Sequence, residues 1–318
     1  MKKTKCILPV FAIIAAVSAQ VFCAPIDLQI GCRPLALGGA FIALSDDANS
    51  VAWNPAGLVQ VKTPEIALMH GSFGELSFVN LGYIGYVQPM DKGTLGLGWQ
   101  TVGSSLKQGL EETSNSMSEN TYLLAYGLPA SNKVSFGLNM KRLTIDSSIG
   151  GGAGFGFDFG GLWMARENIT VGLLLRNIAA DYKNESFPMT YRFGAAFRLA
   201  QDKLRIACDA ESKNDINEAQ GGTIKTHFGA EFMIKKQLAL RFGSDAGNMA
   251  MGIGFRIKQF NLDYSQSTND ITGNLSRIST SFYFPGRPSI EQQVEDAIDR
   301  GDYKKAEELN KQLGKQKK

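Results

Sequence analysis

The amino-acid sequence predicts an all-β chain, an antiparallel transmembrane β-barrel of about fourteen strands. Three observations carry that prediction. Between Pro64 and Phe284 the chain falls into about fourteen segments of the ~10 residues a tilted spanning strand needs, each alternating apolar and polar residues. Their connections alternate between long and short, as in a bacterial barrel with short periplasmic turns and longer external loops. Glycines, of which the chain has 35, recur inside these segments, where they would weaken a soluble strand but suit bends and close approaches in a barrel wall. A Greek-key sandwich has no reason to alternate its connections so regularly. No apolar run of about 20 residues follows the N-terminus, so spanning helices are excluded.

Taken in chain order, "MKKTK" is a basic head and "CILPVFAIIAAVSA" an apolar stretch of secretory-signal length. "VSA" sets up cleavage after Ala19, giving a signal peptide of 1–19; the alternative, 1–24, would put Phe22 at the −3 position. "QVF" before Cys23 is a poor lipoprotein box. Of the 4 cysteines, only Cys32 and Cys208 lie in the body of the chain. Their spacing fits neither a metal site nor a disulfide framework, so free thiols are expected, with a Cys32–Cys208 pair as the alternative. The net charge of +3 is too slight to argue for nucleic acid. No cofactor is expected.

The next block, "RPLALGGAFIALSDDANSVAWNPAGLVQV" (Arg33 to Val61), is dense in Gly, Asp and Asn before the first clear strand. It resembles the N-terminal signature of the PorV/PorQ group of outer-membrane proteins, which are related to the long-chain fatty acid transporter (FadL-like) family. "VGLLLRN", "FPMTYRFGAAFRL", "LALRFGSDAG", "FNLDYS" and "LSRISTSFYF" extend the resemblance over nearly all of 33–284. The resemblance implies a fourteen-stranded barrel, in agreement with the strand count. It also implies that residues 25–62 fold inside the lumen as a hatch carrying the Asn54-Pro55-Ala56 motif. The expected hatch or gating residues are Arg33, Gly38, Gly39, Asp46, Asp47, Asn49, Trp53, Asn54, Pro55, Ala56 and Gly57. Physically, Gly38 and Gly39 permit tight approach to the wall. Asp46, Asp47 and Asn49 can cap or turn the chain and bond inward-facing polar side chains. Pro55 fixes φ and pushes Asn54 towards an extended shape, making a stiff turn. Whether such a plug is permanent or gated stays open.

Residues 63–285 form the barrel proper. Leu204, Ile206 and Cys208 face one way and Arg205 and Asp209 the other; Phe260, Leu262 and Tyr264 alternate with Asn261, Asp263 and Ser265. Ile278, Thr280, Phe282 and Phe284 share a face, while Arg241 and Glu231 take the polar face of their segments. The long connections are expected at "SSLKQGLEETSNSMS", "DSSIGGG", "AADYKNES", "SKNDINEAQGGT" and "STNDITGN". Tyr83, Tyr86, Trp99, Tyr122, Tyr126 and Trp163 are expected to supply interfacial aromatic girdles. "GGGAGFGFDFG" lacks the Lys-Ser/Thr of a phosphate loop.

Catalytic signals are missing. His70 and His227 sit in strand patterns outside any HExxH box, there is no GxSxG elbow, and Asp46 and Asp47, adjacent on an extended segment, would point apart. An enzyme is therefore not expected. Residues 286–318 form a helical tail. Ser289 caps its first helix with Gln292 at the capping-box position, and Ile290, Val294, Ala297 and Ile298 share a face. Tyr303, Ala306, Leu309 and Leu313 share the face of a second helix, and "GDYKKAEELNKQL" resembles half of a tetratricopeptide repeat. The expected setting is a Gram-negative-type outer membrane with both termini periplasmic. Expected partners are outer-membrane lipid, a hydrophobic small molecule, and a periplasmic or secretion-machine protein through 289–313, with no nucleic acid. Three functions are in play: passive transport of small hydrophobic molecules through a hatch-gated lumen, a PorV-like part in type IX protein secretion, and a structural plugged barrel without flux.

Overall fold

A computed structural model describes residues 29–73, 79–107, 114–148, 150–182, 185–214, 224–268 and 273–284, with 294, 297, 298 and 302–316 of the tail. The expected signal peptide (1–19 or 1–24), the first residues of the expected hatch, Ser289, Ile290 and Gln292 lie outside the described residues.

The first half of the wall comprises β1 (Glu65–Phe73), β2 (Val79–Met90), β3 (Gly93–Lys107), β4 (Ser114–Pro129), β5 (Val134–Ser147), β6 (Gly152–Arg166) and β7 (Ile169–Tyr182). A two-residue β8 (Glu185–Ser186) turns back onto the end of β7. The second half comprises β9 (Met189–Leu199), β10 (Leu204–Asn214), β11 (Ile224–Ile234), β12 (Leu238–Asp245), β13 (Asn248–Ile257), β14 (Phe260–Ser267) and β15 (Leu275–Tyr283). Every neighbouring pair is antiparallel, and β1 pairs with β15 from Glu65↔Tyr283 to Phe73↔Leu275. The sheet therefore closes into a barrel of fourteen long strands, the fold class the sequence predicts. Closure removes the unpaired edges that an open sheet would present.

The wall is inverted relative to a soluble protein. Leu138, Phe193, Phe242 and Ile257 are about 60–70% exposed on the outside, while Asp158, Arg192, Glu231 and Arg241 are 5% exposed or less on the inside. Alternation with a period of two produces this, because each strand shows one face to lipid and one to the lumen.

Three expectations for the wall need correction. The connection expected across 104–118 is largely strand, since β3 runs to Lys107 and β4 starts at Ser114. The β12–β13 connection breaks the long–short alternation: Asp245 pairs with Asn248 across a tight turn at Ala246 and Gly247, both with φ positive. Tyr83 is no girdle residue. It falls on the inward register of β2 with Leu81 and Val87, is 2% exposed, and donates its hydroxyl to Ala48 O at 3.0 Å. Trp99, Tyr122, Tyr126 and Trp163 do stand exposed on the outer face. Both body cysteines are free thiols, as expected, and the alternative Cys32–Cys208 pair is not formed. Cys32 is buried in the lumen, and Cys208 shares the outward register of Ile206 on β10.

In the tail, helix Tyr303–Gln316 begins at Asp302, whose carboxylate accepts from Lys305 N. Val294 and Ala297 pack with Ala306 and Leu309. Ile298 and Tyr303, expected to share those faces, are exposed instead.

Candidate functional site: the lumenal hatch and the chambers beside it

Residues 30–61 occupy the lumen. Gly31, with φ 85°, turns the chain into α1 (Cys32–Ala36), and Pro34 is tolerated there because a first helical turn has no use for its missing N–H. Gly38 (φ 62°) and Gly39 (φ 79°) reverse the chain in the left-handed region. A second short helix, α2 (Ser50–Trp53), ends at Asn54, which is extended at φ −150° as its place before Pro55 requires. Pro55 then opens a 3-10 helix, Pro55–Gln60. Asn54 is fully buried and holds the turn: its Oδ1 accepts from Ala56 N at 3.1 Å and its Nδ2 donates to Ile42 O at 2.9 Å. Asn49 precedes α2 but makes no capping bond; its backbone and side-chain amides both donate to Asp47 Oδ1 at 2.9 Å.

Apolar residues make this segment the core of the molecule. Leu37, Phe41, Ile42, Leu44, Val51 and Leu58 are fully buried against Met69, Leu81, Val87 and Leu123 of the wall. Trp53 meets Phe41 edge-on at 5.9 Å, donates its indole N–H to Ile30 O at 2.8 Å, and lies under the Arg192 guanidinium at 5.2 Å.

The wall glycines explain how the hatch sits so close. A Cβ at Gly172 would stand 2.7 Å from Ile42 O, and one at Gly229 2.5 Å from Leu37 O. At Gly137 it would strike the Pro55–Ala56 peptide, at Gly243 the Gly38 amide, and at Gly38 the backbone of Ser244. Gly57 likewise lies against the backbone of Ser45. Hatch backbone therefore runs directly against wall backbone.

Charge ties the two together. Arg33 Nη1 donates to Asp46 Oδ1 at 2.6 Å and to Asp47 Oδ2 at 2.8 Å, so the two aspartates converge on one guanidinium rather than pointing apart. The segment that carries them is bent, not extended. Arg33 Nε and Nη2 reach Glu231 on β11 at 2.9 and 3.1 Å. Glu231 also accepts from Arg205 at 3.2 Å and Arg241 at 2.7 Å, and Arg241 continues to Asp263 at 2.6 Å. Burial alone would lower the Arg33 guanidinium, but Asp46, Glu231 and Asp47 outweigh it and hold it charged. Burial alone would also raise Asp46; Arg33 and Arg205 overcome that and keep it below the usual carboxylate range. Asp47 goes the other way: burial and then the Asp46 charge outweigh Arg33, and its carboxyl is raised.

A second cluster anchors the Gly38–Ile42 stretch. Arg192 donates to Gly39 O at 2.6 Å, Asp209 accepts from Phe41 N and Ile42 N at 3.0 and 3.1 Å, and His227 Nδ1 lies 3.1 Å from Gly38 O and 3.0 Å from Asp245. His70 faces outward. Sequence reading missed Arg192 and His227 as hatch anchors. The available signal was their inward register, which already placed Arg205, Asp209, Glu231 and Arg241 on the polar face.

Two chambers flank the hatch. One, of about 270 Å³, lies towards the short turns and is polar, lined by Arg33, Asp46, Arg205, Arg241, Asn261 and Tyr283. The other, of about 100 Å³, lies towards the long connections and mixes Trp53, Leu123, Leu143 and Phe155 with Lys141 and Asp158. Beside this second chamber the β6–β7 pairing loses register between Phe155 and Phe157 and again between Phe157 and Phe159. On β7, Asn177 and Ala179 take φ 61° and 49°, a bulged conformation unusual for non-glycine residues. Among the described residues no cluster of His, Cys, Asp and Glu could hold a metal ion.

Solved barrels of known description share this architecture. The toluene transporter TbuX of Ralstonia pickettii superposes with a TM-score of 0.61 at 12% identity, over 81% of this chain and 99% of that one. The Pseudomonas putida toluene transporter TodX gives 0.58 at 13%, over 80% and 97%. A Pseudomonas aeruginosa FadL homologue gives 0.58 at 9%, over 81% and 99%. At such identities the likeness shows the fold. No curated protein matches the sequence. Residues 14–282 match an uncharacterised protein family, UPF0164, and the chain belongs to that family.

Proposed function

We propose that the protein is an outer-membrane conduit for passive transport of small hydrophobic molecules, and not an enzyme. The observation that carries this reading is the pairing of a closed hatch with a partly apolar chamber on one side of it, next to an irregular wall seam. A ligand entering from the long connections reaches Trp53, Leu123 and Leu143 and finds its way onward blocked by buried hatch backbone. The chamber beyond the hatch is polar and unsuited to an apolar solute. The β6–β7 bulges border the first chamber, and in this reading they are where the solute leaves sideways through the wall. The toluene transporters of the same fold support the solute class. In this reading both termini lie on the periplasmic side, with the short turns. The gating residues in this reading are Arg33, Asp46, Asp47 and Asn49, which hold charge contacts, and Gly38, Gly39 and Trp53 to Gly57, which hold the packing.

The test is ligand uptake and single-channel conductance in liposomes, for the full chain and for a deletion of Arg33–Leu58. Uptake by the full chain, with a large unselective pore after deletion, is the expected outcome. No uptake by the full chain, with a pore appearing on deletion, would sink transport and leave a structural plugged barrel. The second reading is a PorV-like part in type IX secretion. Its support is the helical tail, which presents Ile298 and Tyr303 uncovered, as a partner-binding helix would. Recovery of secretion components with the full chain, lost on deletion of 289–313, would favour it.

A further inference from the structure

The short-turn rim has a feature that transport does not use. Each of the six turns on this rim carries an exposed cation: Lys92 between β2 and β3, Lys133 between β4 and β5, Arg166 at β6–β7, Lys203 at β9–β10, Lys235 and Lys236 at β11–β12, and Lys258 at β13–β14. The acids on the same turns are Asp91, Glu167 and Asp202, and Asp202 is already bound to Arg205. At the opposite end the connection after β7 carries Lys183, but four others are acidic. Connections 74–78, 108–113, 215–223 and 269–272 contain Glu75, Glu111, Glu112, Asp215, Glu218 and Asp270, and no Lys or Arg.

Turn geometry does not ask for these lysines. Lys235, Lys236 and Lys258 have φ of 51°, 58° and 53°, the left-handed region where a two-residue hairpin favours Asn or Gly. Lysine is held there at a conformational cost, and its charge is spent on no acid of the turn. The cations also stand at a defined height. Each turn follows or precedes an outward apolar residue close by: Met90, Leu128, Trp163, Leu199, Ile234 and Ile257 are all exposed on the outer wall. A cation on every turn of this rim, directly against the lipid-facing band, matches the plane where phosphates of a bilayer lie.

The geometry points to a basic collar on the short-turn rim whose partner is the headgroup layer of an anionic phospholipid leaflet. The partner is lipid rather than an acidic protein because a cation stands on every turn of the rim, in continuity with the apolar band, rather than on one side alone. Collar and hydrocarbon band together fix the depth of the barrel. This inference rests on the barrel's standing in a membrane, and is independent of what passes through it.

Trp163 makes the test direct. It lies on the outer wall opposite Val134 in the β5–β6 ladder, Met164 N bonds Lys133 O at 2.7 Å, and Arg166 follows on the same strand. The full chain carrying Trp99→Phe, which leaves Trp163 as the lipid-facing tryptophan among the described residues, is reconstituted in phosphatidylcholine vesicles. These are doped with brominated phosphatidylglycerol or with brominated phosphatidylcholine, and quenching of Trp163 is compared. Roughly two- to fivefold enrichment of phosphatidylglycerol is expected at low salt, falling towards parity at about 0.5 M salt. K133Q/R166Q should fall to parity, with quenching by brominated phosphatidylcholine reporting that it still inserts. K235Q/K236Q, on the far side of the barrel, should keep the enrichment. Parity in the parent chain, or enrichment that survives K133Q/R166Q, overturns the collar. Parity that becomes enrichment once 286–318 is removed means the tail covers the rim, and also overturns it. Quenching by neither lipid would sink the membrane placement itself, and transport with it.

Discussion

Arg33 is the point at which hatch and wall can be uncoupled by one substitution. Arg33→Ala removes four nitrogen–oxygen contacts at once: its bonds to Asp46, Asp47 and both oxygens of Glu231. The loss is unequal across the partners. Glu231 keeps Arg205 and Arg241, and Asp46 keeps Arg205 at 3.3 Å, but Asp47 has no other ion-pair partner among the described residues. With the Arg33 side chain only 11% exposed, solvent screens little of this. Breaking a buried pair typically costs about 3–5 kcal/mol, and the partners that stay satisfied put this case at the lower end, about 3 kcal/mol. If that energy bears on the seated hatch, the unseated fraction rises by about two orders of magnitude. Single-channel recording reads this as frequent opening events in the variant where the parent chain is quiet. Arg33→Lys, which keeps the charge but loses the fork, should fall between the two. A variant as quiet as the parent, with an unchanged unfolding midpoint, would refute the claim that this network latches the hatch.

Other substitutions probe the remaining contacts. Asn54→Ala should destabilise the folded protein by about 2–3 kcal/mol, because it orphans the buried Ala56 N–H and the Ile42 carbonyl, and thermal unfolding should show it. Gly243→Val should leave the barrel assembled but leaky, since its side chain would occupy the place of the Gly38 amide; heat-modifiable gel mobility paired with conductance checks both halves. Acidification should spare the latch down to about pH 5. Asp47, with its carboxyl raised, takes up a proton first, and because its folded form binds the proton more readily, that step does not weaken the fold. Asp46 is held low, so its contribution is complete above the unfolded value of about 3.9 and is lost only as pH falls through its still lower folded value. Conductance recorded between pH 7 and 5 should therefore stay low.

How much of this was legible beforehand depended on periodicity. Strand alternation is a local signal, so residues such as Ile206, Phe260 and Leu262 declared the outer face and Arg205, Asp263 and Arg241 the inner one. Tyr83 was misread because an aromatic in a strand looks the same facing lipid or lumen until the register of β2 is known. The convergence of Asp46 and Asp47 was hidden because it depends on the bend after Leu44 and on Arg33, thirteen residues away. The glycines were seen, but as features of the wall alone; that Gly137, Gly172 and Gly229 are seats for hatch backbone is a relation between distant segments, which no local pattern contains. The β6–β7 bulges were equally silent, because Asn177 and Ala179 are ordinary strand residues by type.

The placement of the hatch across the closing seam has a consequence for assembly. The 3-10 helix at Pro55–Gln60 lies against β3 to β6, and α1 lies against β12 to β15. Those are the two halves of the wall that meet where β1 zips to β15. The N-terminal segment is thus a mandrel: made first, it offers binding surfaces to early and late strands alike and draws the last hairpin towards the first. Its removal should slow the final closure of the cylinder, as well as opening a hole through it.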